Sequence, residues 1–518
     1  MSVREKAGQL FCLLGDTYDS RRLESLVRDG IGGVLFRPVR TKKEICADFE
    51  RLDSISSVPL LHAANLEEGG AGIASDGTCF ASQLQIAASC DCINDMKSFA
   101  LNCLKEGVEC GVNWTFSPVS DIDYNFLNPI TNCRTLGSDK NLVAKLAEIY
   151  VSEVQRGGIA ACAKHFPGDG VDYRDHHLHP TYNTLSADEW RSSYGMVYRT
   201  LIEAGLLSVM AGHICQPALE KEYAGCSFEE CLPASLSKPL LTDVLRGELG
   251  FNGLITTDAS IMGGFCMAME RKKAIPQAIV SGCDMIVFSP DIEEDLEYMI
   301  AGIEEGIIPP GRLNDALTRI LALKQVVSHD KRTDFGSDGN GSGKERCARN
   351  SVTLVKDEGI IPVTHFKTIR LTGLGSDDTW DGSLREMLKN EFEKRGFGVE
   401  IYNPYEDDLH GIRNLSAERL TVIYAYYPPA SNRTTVRINW CDKHALEIPR
   451  YVNEEKSVFV SFANPYHLQD IPRVKTYINA YTATKATVQA VVEKLCGESG
   501  FCGKSPVDPF CKSGDTRI

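Results

Sequence analysis

The sequence predicts an α/β protein: a (β/α)8 TIM-type barrel followed by a smaller α/β/α sandwich domain. Three observations carry this expectation. Eight short apolar runs lie between the N-terminus and about residue 290, helix-period stretches separate them, and a polar Gly-rich segment follows, after which a new pattern starts.

In order, the runs are FCLLGD from Phe11, GGVLFRP to Pro38, PLLHAAN to Asn65, VNWTFSPV to Val119, IAACAKHF to Phe166, LSVMAGHI to Ile214, GLITTDAS to Ser260 and DMIVFSP to Pro290. Turn residues bound each one, as expected of short strands. Between them, SDKNLVAKLAEIYVSEVQRGG and ADEWRSSYGMVYRTLIEAG repeat apolar residues at i, i+3 and i+4, the signature of a helix laid on a sheet. Strand-and-helix alternation at this length suits a closed barrel, and a doubly wound sheet is the competing architecture. In a barrel the chemistry sits where strands end and loops begin. Asp16, Arg37, Asn65, Asp121, Lys164, His165, His213 and Asp258 all fall at apparent strand ends.

The barrel is expected over 1–327, and SHDKRTDFGSDGNGSGKER, residues 328–346, reads as a linker because it is polar, Gly-rich and lacks apolar periodicity. Over 347–518, TIRLTGLG, VEIYNP, LTVIYAYYP, SVFVSFANP and VKTYINAY read as strands, and GSLREMLKNEFEKRG and TKATVQAVVEKLCG as helices. Gly373 and Gly375 follow a strand, but the third glycine position of a dinucleotide fingerprint is Asp378, whose charge would repel a pyrophosphate; no nucleotide cofactor is expected.

A chain of 518 residues is too long for one core. Its net charge of -15 argues against nucleic acid and anionic membranes as partners and fits a neutral or partly cationic small substrate better. The 19 cysteines are odd in number and scattered, which reads as reduced thiols. MSVREKAGQLF has no signal-peptide pattern and no run of 18 apolar residues follows, so a cytoplasmic location is expected. No motif assigns an oligomeric state.

Two segments carry the chemistry. The first is Lys164-His165-Phe166-Pro167-Gly168-Asp169-Gly170, followed by Asp175, His176, His177 and His179. An Asp two residues from a His can reach the ring N–H, which makes Asp175 and His177 a proton-shuttling couple. Zinc held by Asp175, His176, His177 and His179 is the competing reading; metal sites usually draw ligands from several elements, so no metal is expected. A His-rich loop without chemistry is the plainest alternative. The second segment is GFNGLITTDAS with Met262 and a Gly263-Gly264 turn, in which a strand delivers Asp258 at its end. That carboxylate is placed either to attack an anomeric carbon or to cap the following helix.

KHFPGDG with Asp175-x-His177, together with GFNGLITTDASIM, resembles glycoside hydrolase family 3, specifically its β-N-acetylglucosaminidase branch. NWTFSPVSDID, NPITNCRTLGSD, SVMAGHI, SVTLVKDEG and ANPYHL are also similar to family segments, so the resemblance spans nearly the whole chain. It implies a barrel followed by an α/β sandwich and a retaining removal of terminal β-linked N-acetylhexosamine. Asp258 would be the nucleophile, His177 the acid/base and Asp175 its orienting partner. Lys164, His165 and Arg134 would hold the sugar, with Asp121, Asn65, Glu67, His213 and Met262 as further candidates around it. Phosphate in place of water as acceptor fits the same chemistry; β-glucosidase or β-xylosidase activity, or a sugar-binding protein without catalysis, are the other readings. The sequence departs from the family's usual pattern at Asn65-Leu66-Glu67-Glu68-Gly69-Gly70, at Ala71 and Ala74, at Ala259, and at Asp169, which stands where a His is common and is expected to add negative charge beside the couple.

Overall fold

Eight strands form where the apolar runs were read: β1 (Phe11–Leu14), β2 (Gly33–Leu35), β3 (Leu61–Ala64), β4 (Trp114–Thr115), β5 (Ala160–Phe166), β6 (Ser208–Ala211), β7 (Leu254–Ala259) and β8 (Met285–Val287). The computed structural model describes residues 1–328, 342–375, 382–402, 416–440, 445, 448–454 and 456–518. Within it the strands pair in chain order, each parallel to its neighbours, and β8 closes on β1 with Ile286 opposite Phe11. The closed barrel replaces the doubly wound alternative. Strands buried on both faces need apolar residues at nearly every position, which is why they stood out as continuous runs.

The helix Lys140–Arg156 starts at Asp139, whose side chain accepts from the backbone N–H of Asn141, and it buries Val143, Leu146, Ala147, Tyr150 and Val154 along one stripe. The stretch ADEWRSSYGMVYRTLIEAG is two helices, Ala187–Ser192 and Tyr194–Glu203, because Ser193 leaves helical geometry at φ -121°, ψ -91°.

A second sheet contains β9 (Thr353–Lys356), β10 (Thr368–Leu374), β11 (Gly398–Tyr402), β12 (Arg419–Tyr426), β13 (Ser457–Phe462) and β14 (Tyr477–Asn479), in the order β9-β14-β13-β12-β10-β11. Among the described residues only β9 runs antiparallel. Alternation along β12 builds two cores. Leu420, Val422 and Tyr424 pack with Leu388 and Phe392 of the helix Ser383–Glu393 and with Val488 and Val491 of the helix Lys485–Leu495, whereas Ile423 and Ala425 pack with Leu468, Ile471 and Val474.

The chain divides into two compact units: Met1–Phe80, Met96–Thr131 and Asp139–Gly339 in one, and Ala81–Asp95, Asn132–Ser138 and Asn340–Ile518 in the other. Two short segments that precede the linker in sequence thus cluster with the second sheet. Of the expected linker, residues 329–341 lie outside the described residues, and 342–346 open the helix Ser342–Ser351. Asp378, invoked against a dinucleotide loop, and Asn403-Pro404 of the expected strand VEIYNP also lie outside them. Among the described residues no helix is long and apolar enough to cross a membrane.

Candidate active site

The C-terminal end of β5 carries the first pair of functional side chains. Its register with β6 shifts between Ala163 and Phe166. A regular strand would send consecutive side chains to opposite faces, and an irregularity of this kind re-aims them. Both side chains find partners in the barrel. Lys164 Nζ lies 2.5 Å from Glu67 Oε1 and 3.5 Å from Asn65 Oδ1, and His165 Nε2 lies 3.8 Å from Asp258 Oδ2. The structure therefore brings Asn65 and Glu67 together on one ammonium.

Asp121 anchors this corner from below. Its Oδ1 accepts from the backbone N–H groups of His165 (3.0 Å) and Asp169 (2.8 Å), and its Oδ2 accepts from His165 Nδ1 at 2.6 Å. Asp121, expected among the sugar-holding groups, is buried and fixes the orientation of His165. With Nδ1 donating to a carboxylate, Nε2 of His165 is the nitrogen presented to Asp258.

The loop after β5 brings in the Asp175–His177 couple. Asp175 Oδ1 accepts from both the backbone N–H (2.8 Å) and the Nδ1 (2.7 Å) of His177. Asp175 is buried and the His177 side chain is 21% exposed, so the ring is held from inside and its other edge faces outward. The loop then docks on the turn after β7. Gly263 N–H donates to His177 O at 2.7 Å, and a Cβ on Gly263 would come within 2.1 Å of Leu178 O, while one on Gly264 would come within 2.4 Å of His176 O. The Gly-Gly turn is required by this close approach.

Asp258, at the end of β7, faces that loop. Its Oδ1 accepts from Ala259 N–H at 2.7 Å, and its Oδ2 lies 3.9 Å from His176 Nε2 as well as 3.8 Å from His165 Nε2. Burial resists its ionisation, but the neighbouring imidazoles, His165 first, outweigh burial and hold the carboxyl well below the usual carboxylate range. An ionised carboxylate at the rim is what a nucleophile requires.

His213, expected to touch substrate, is fully buried with both ring nitrogens engaged: Nδ1 pairs with Ser235 Oγ at 2.9 Å and Nε2 with Ala259 O at 3.1 Å. It braces the end of β7, and burial pushes its pKa down from 6.5 to about 4. Met262 is buried, and its N–H donates to Ala259 O at 3.0 Å to shape the same turn. Arg134 ends the short turn Asn132–Arg134, which clusters with the second unit.

Two further groups belong here. His176 is fully buried, and among the described residues neither ring nitrogen has a hydrogen-bond partner; its Nε2 lies 3.8 Å from Asp169 Oδ2. Burial pushes its pKa well down. Asp169 Oδ1 accepts from Asn128 and Gly170, while its Oδ2 is unpartnered among the described residues. Burial, reinforced by Asp121 alongside, pushes its pKa well up, so the negative charge expected from Asp169 is suppressed. In sequence His176 is the spacer of Asp175-x-His177 and a member of the competing zinc set, but not a neighbour of Asp258, because loop residues have no period from which side-chain direction follows. The zinc set considered in sequence is not the one that gathers: His165 and His176 join Asp258, while the Asp175–His177 couple stands beside them.

Barrel and rim together define a class, the TIM-barrel glycoside hydrolases. The sequence profile "Glycosyl hydrolase family 3 N terminal domain" matches residues 2–323. A "Beta-N-acetylglucosaminidase/beta-glucosidase" of Cellulomonas fimi is 38% identical over 100% of this chain and 96% of that protein. The solved "Beta-glucoside phosphorylase BglX bound to 2FGlc" superposes with a TM-score of 0.91 at 38% identity, covering 99% of this chain and 95% of that one. A family 3 β-N-acetylglucosaminidase from Paenibacillus sp. str. FPU-7 shares the fold, with a TM-score of 0.84 at 24% identity over 99% of this chain and 100% of that one. The chain belongs to glycoside hydrolase family 3.

Proposed function

We propose that this enzyme removes terminal β-linked N-acetylhexosamine, N-acetylglucosamine first among the candidates, with retention at the anomeric carbon, acting on small glycosides in the cytoplasm. Asp258 attacks C1 while His177 gives its Nε2 proton to the departing glycosidic oxygen; in the second step His177 takes a proton from the acceptor, whose oxygen displaces Asp258 from C1. Asp175 holds the imidazole tautomer and stabilises the charged ring. Lys164, paired with Glu67 and Asn65, holds sugar hydroxyls.

The observation that carries this reading is the docking of the Asp175–His177 loop on the turn that follows Asp258, with His176, next to His177, 3.9 Å from the carboxylate. The Cellulomonas fimi relative's name adds support for both an N-acetylglucosaminide and a glucoside as substrate. Phosphorolysis is the second reading. BglX is named a phosphorylase, and a neutral imidazole, unlike a carboxylate base, does not repel phosphate.

The test uses a 2-deoxy-2-fluoro glycoside with an activated leaving group, followed by peptide mass mapping. The proposal expects a glycosyl adduct on Asp258; binding without adduct or turnover would mark a sugar-binding protein instead. A panel of aryl glycosides separates N-acetylglucosaminide from glucoside and xyloside, and sugar 1-phosphate formed only when phosphate is added identifies the acceptor.

A further inference from the structure

His165, His176 and Asp258 come from β5, the loop beyond it and β7, and one donor atom from each lies within 4.8 Å of the others. The two distances to Asp258 Oδ2 are 3.8 and 3.9 Å. Tetrahedral zinc with bonds of roughly 2.0–2.1 Å holds its donors about 3.4 Å apart, so an ion would need these side chains to move in by only about half an ångström. His165 already has the support that a metal-ligating histidine usually has, its Nδ1 donating to Asp121 at 2.6 Å. His176 is fully buried, points Nε2 into the cluster and has no hydrogen-bond partner on either nitrogen among the described residues. Asp169 Oδ2, 3.8 Å from His176 Nε2 and likewise unpartnered there, stays outside the gathered set of three. Two imidazoles and one carboxylate suit a zinc-class divalent cation.

We propose that a zinc-class divalent cation binds between His165, His176 and Asp258 and inhibits the enzyme reversibly by occupying the carboxylate that must attack the sugar. The binding stands on geometry alone; its inhibitory consequence rests on the role given to Asp258 above.

The direct test is cobalt(II) titration of the metal-free full chain, read by absorption. Ligand-field bands of nitrogen and oxygen coordination saturating at one cobalt per chain support the site, whereas thiolate charge-transfer bands alone, or no saturable binding, overturn it. His176→Gln is expected to weaken this binding by at least about tenfold while circular dichroism stays unchanged. Asp258→Asn is a second variant, read in the same way if the first does not fold; unchanged cobalt binding in a folded variant overturns the proposal. In the kinetic arm, zinc is expected to raise KM for an aryl glycoside without lowering kcat, with full reversal by EDTA. Cobalt bound at this site without that inhibition refutes the inhibitory clause. Cobalt bound at this site with no glycoside turned over refutes the functional reading and leaves the cation site standing.

Discussion

His213 shows how a buried histidine supports the strand that carries Asp258. Its ring bridges Ser235 and Ala259, and burial lowers its pKa from 6.5 to about 4. A depressed folded-state value means that the unfolded chain binds a proton the folded chain refuses. Stability is therefore complete above about pH 6.5 and falls as pH drops toward 4, by about 3 kcal/mol for this one group. Urea unfolding from pH 7 to 4 is expected to show this slope reduced in His213→Gln; equal slopes would refute it. Much of the site was legible at this scale. The Asp175-x-His177 spacing and the strand-end position of Asp258 marked real neighbours, because short-range spacing and strand alternation constrain direction. Asp121 and His213 were legible as site residues but not as supports, since that role depends on which N–H and C=O groups reach them from distant segments.

The elements that bring the site together are β5, β7 and the glycine turn after β7. A Cβ on Gly264 would approach both His176 O (2.4 Å) and His213 Cβ (2.6 Å), neither of which is a flexible side-chain end. Gly264→Ala is expected to displace the histidine loop and reduce kcat/KM by about a hundredfold, the cost of a misplacement near 1 Å. Gly311→Ala, with nothing within 4 Å, serves as control and is expected to leave kcat/KM unchanged. All eight barrel strands were readable because parallel strands covered on both faces are written as apolar runs. The strand β9 was missed: it is short, at the sheet edge, antiparallel and ends in Lys356, so its residues carry little apolar signal.

At the scale of the whole molecule, the barrel separates chemistry from stability between its two ends. At the N-terminal end, fully buried Asp284 accepts from Arg246 (2.7 Å), Arg312 (2.6 Å) and the backbone N–H of Ile255 (2.9 Å), tying β7 to β8. Asp284→Ala leaves the guanidiniums of Arg246, Arg312 and Arg319 without their carboxylate and is expected to cost about 3–5 kcal/mol in chemical unfolding, with kcat/KM per folded molecule unchanged. Lost activity at preserved stability would place Asp284 in the site instead. The assignment of 81–95 and 132–138 to the second compact unit was not legible in sequence, because amphipathic patterns show that a face is covered but not by what.

The claim on which the mechanism turns is that Asp258 and His177 act on the same glycosidic bond. The most direct measurement compares His177→Ala with wild type on N-acetylglucosaminides whose leaving groups span poor to good. The account predicts a loss of about 10²–10⁴-fold when the leaving group needs a proton and a much smaller loss in glycosylation when it does not. An equal loss across the series would contradict proton donation by His177.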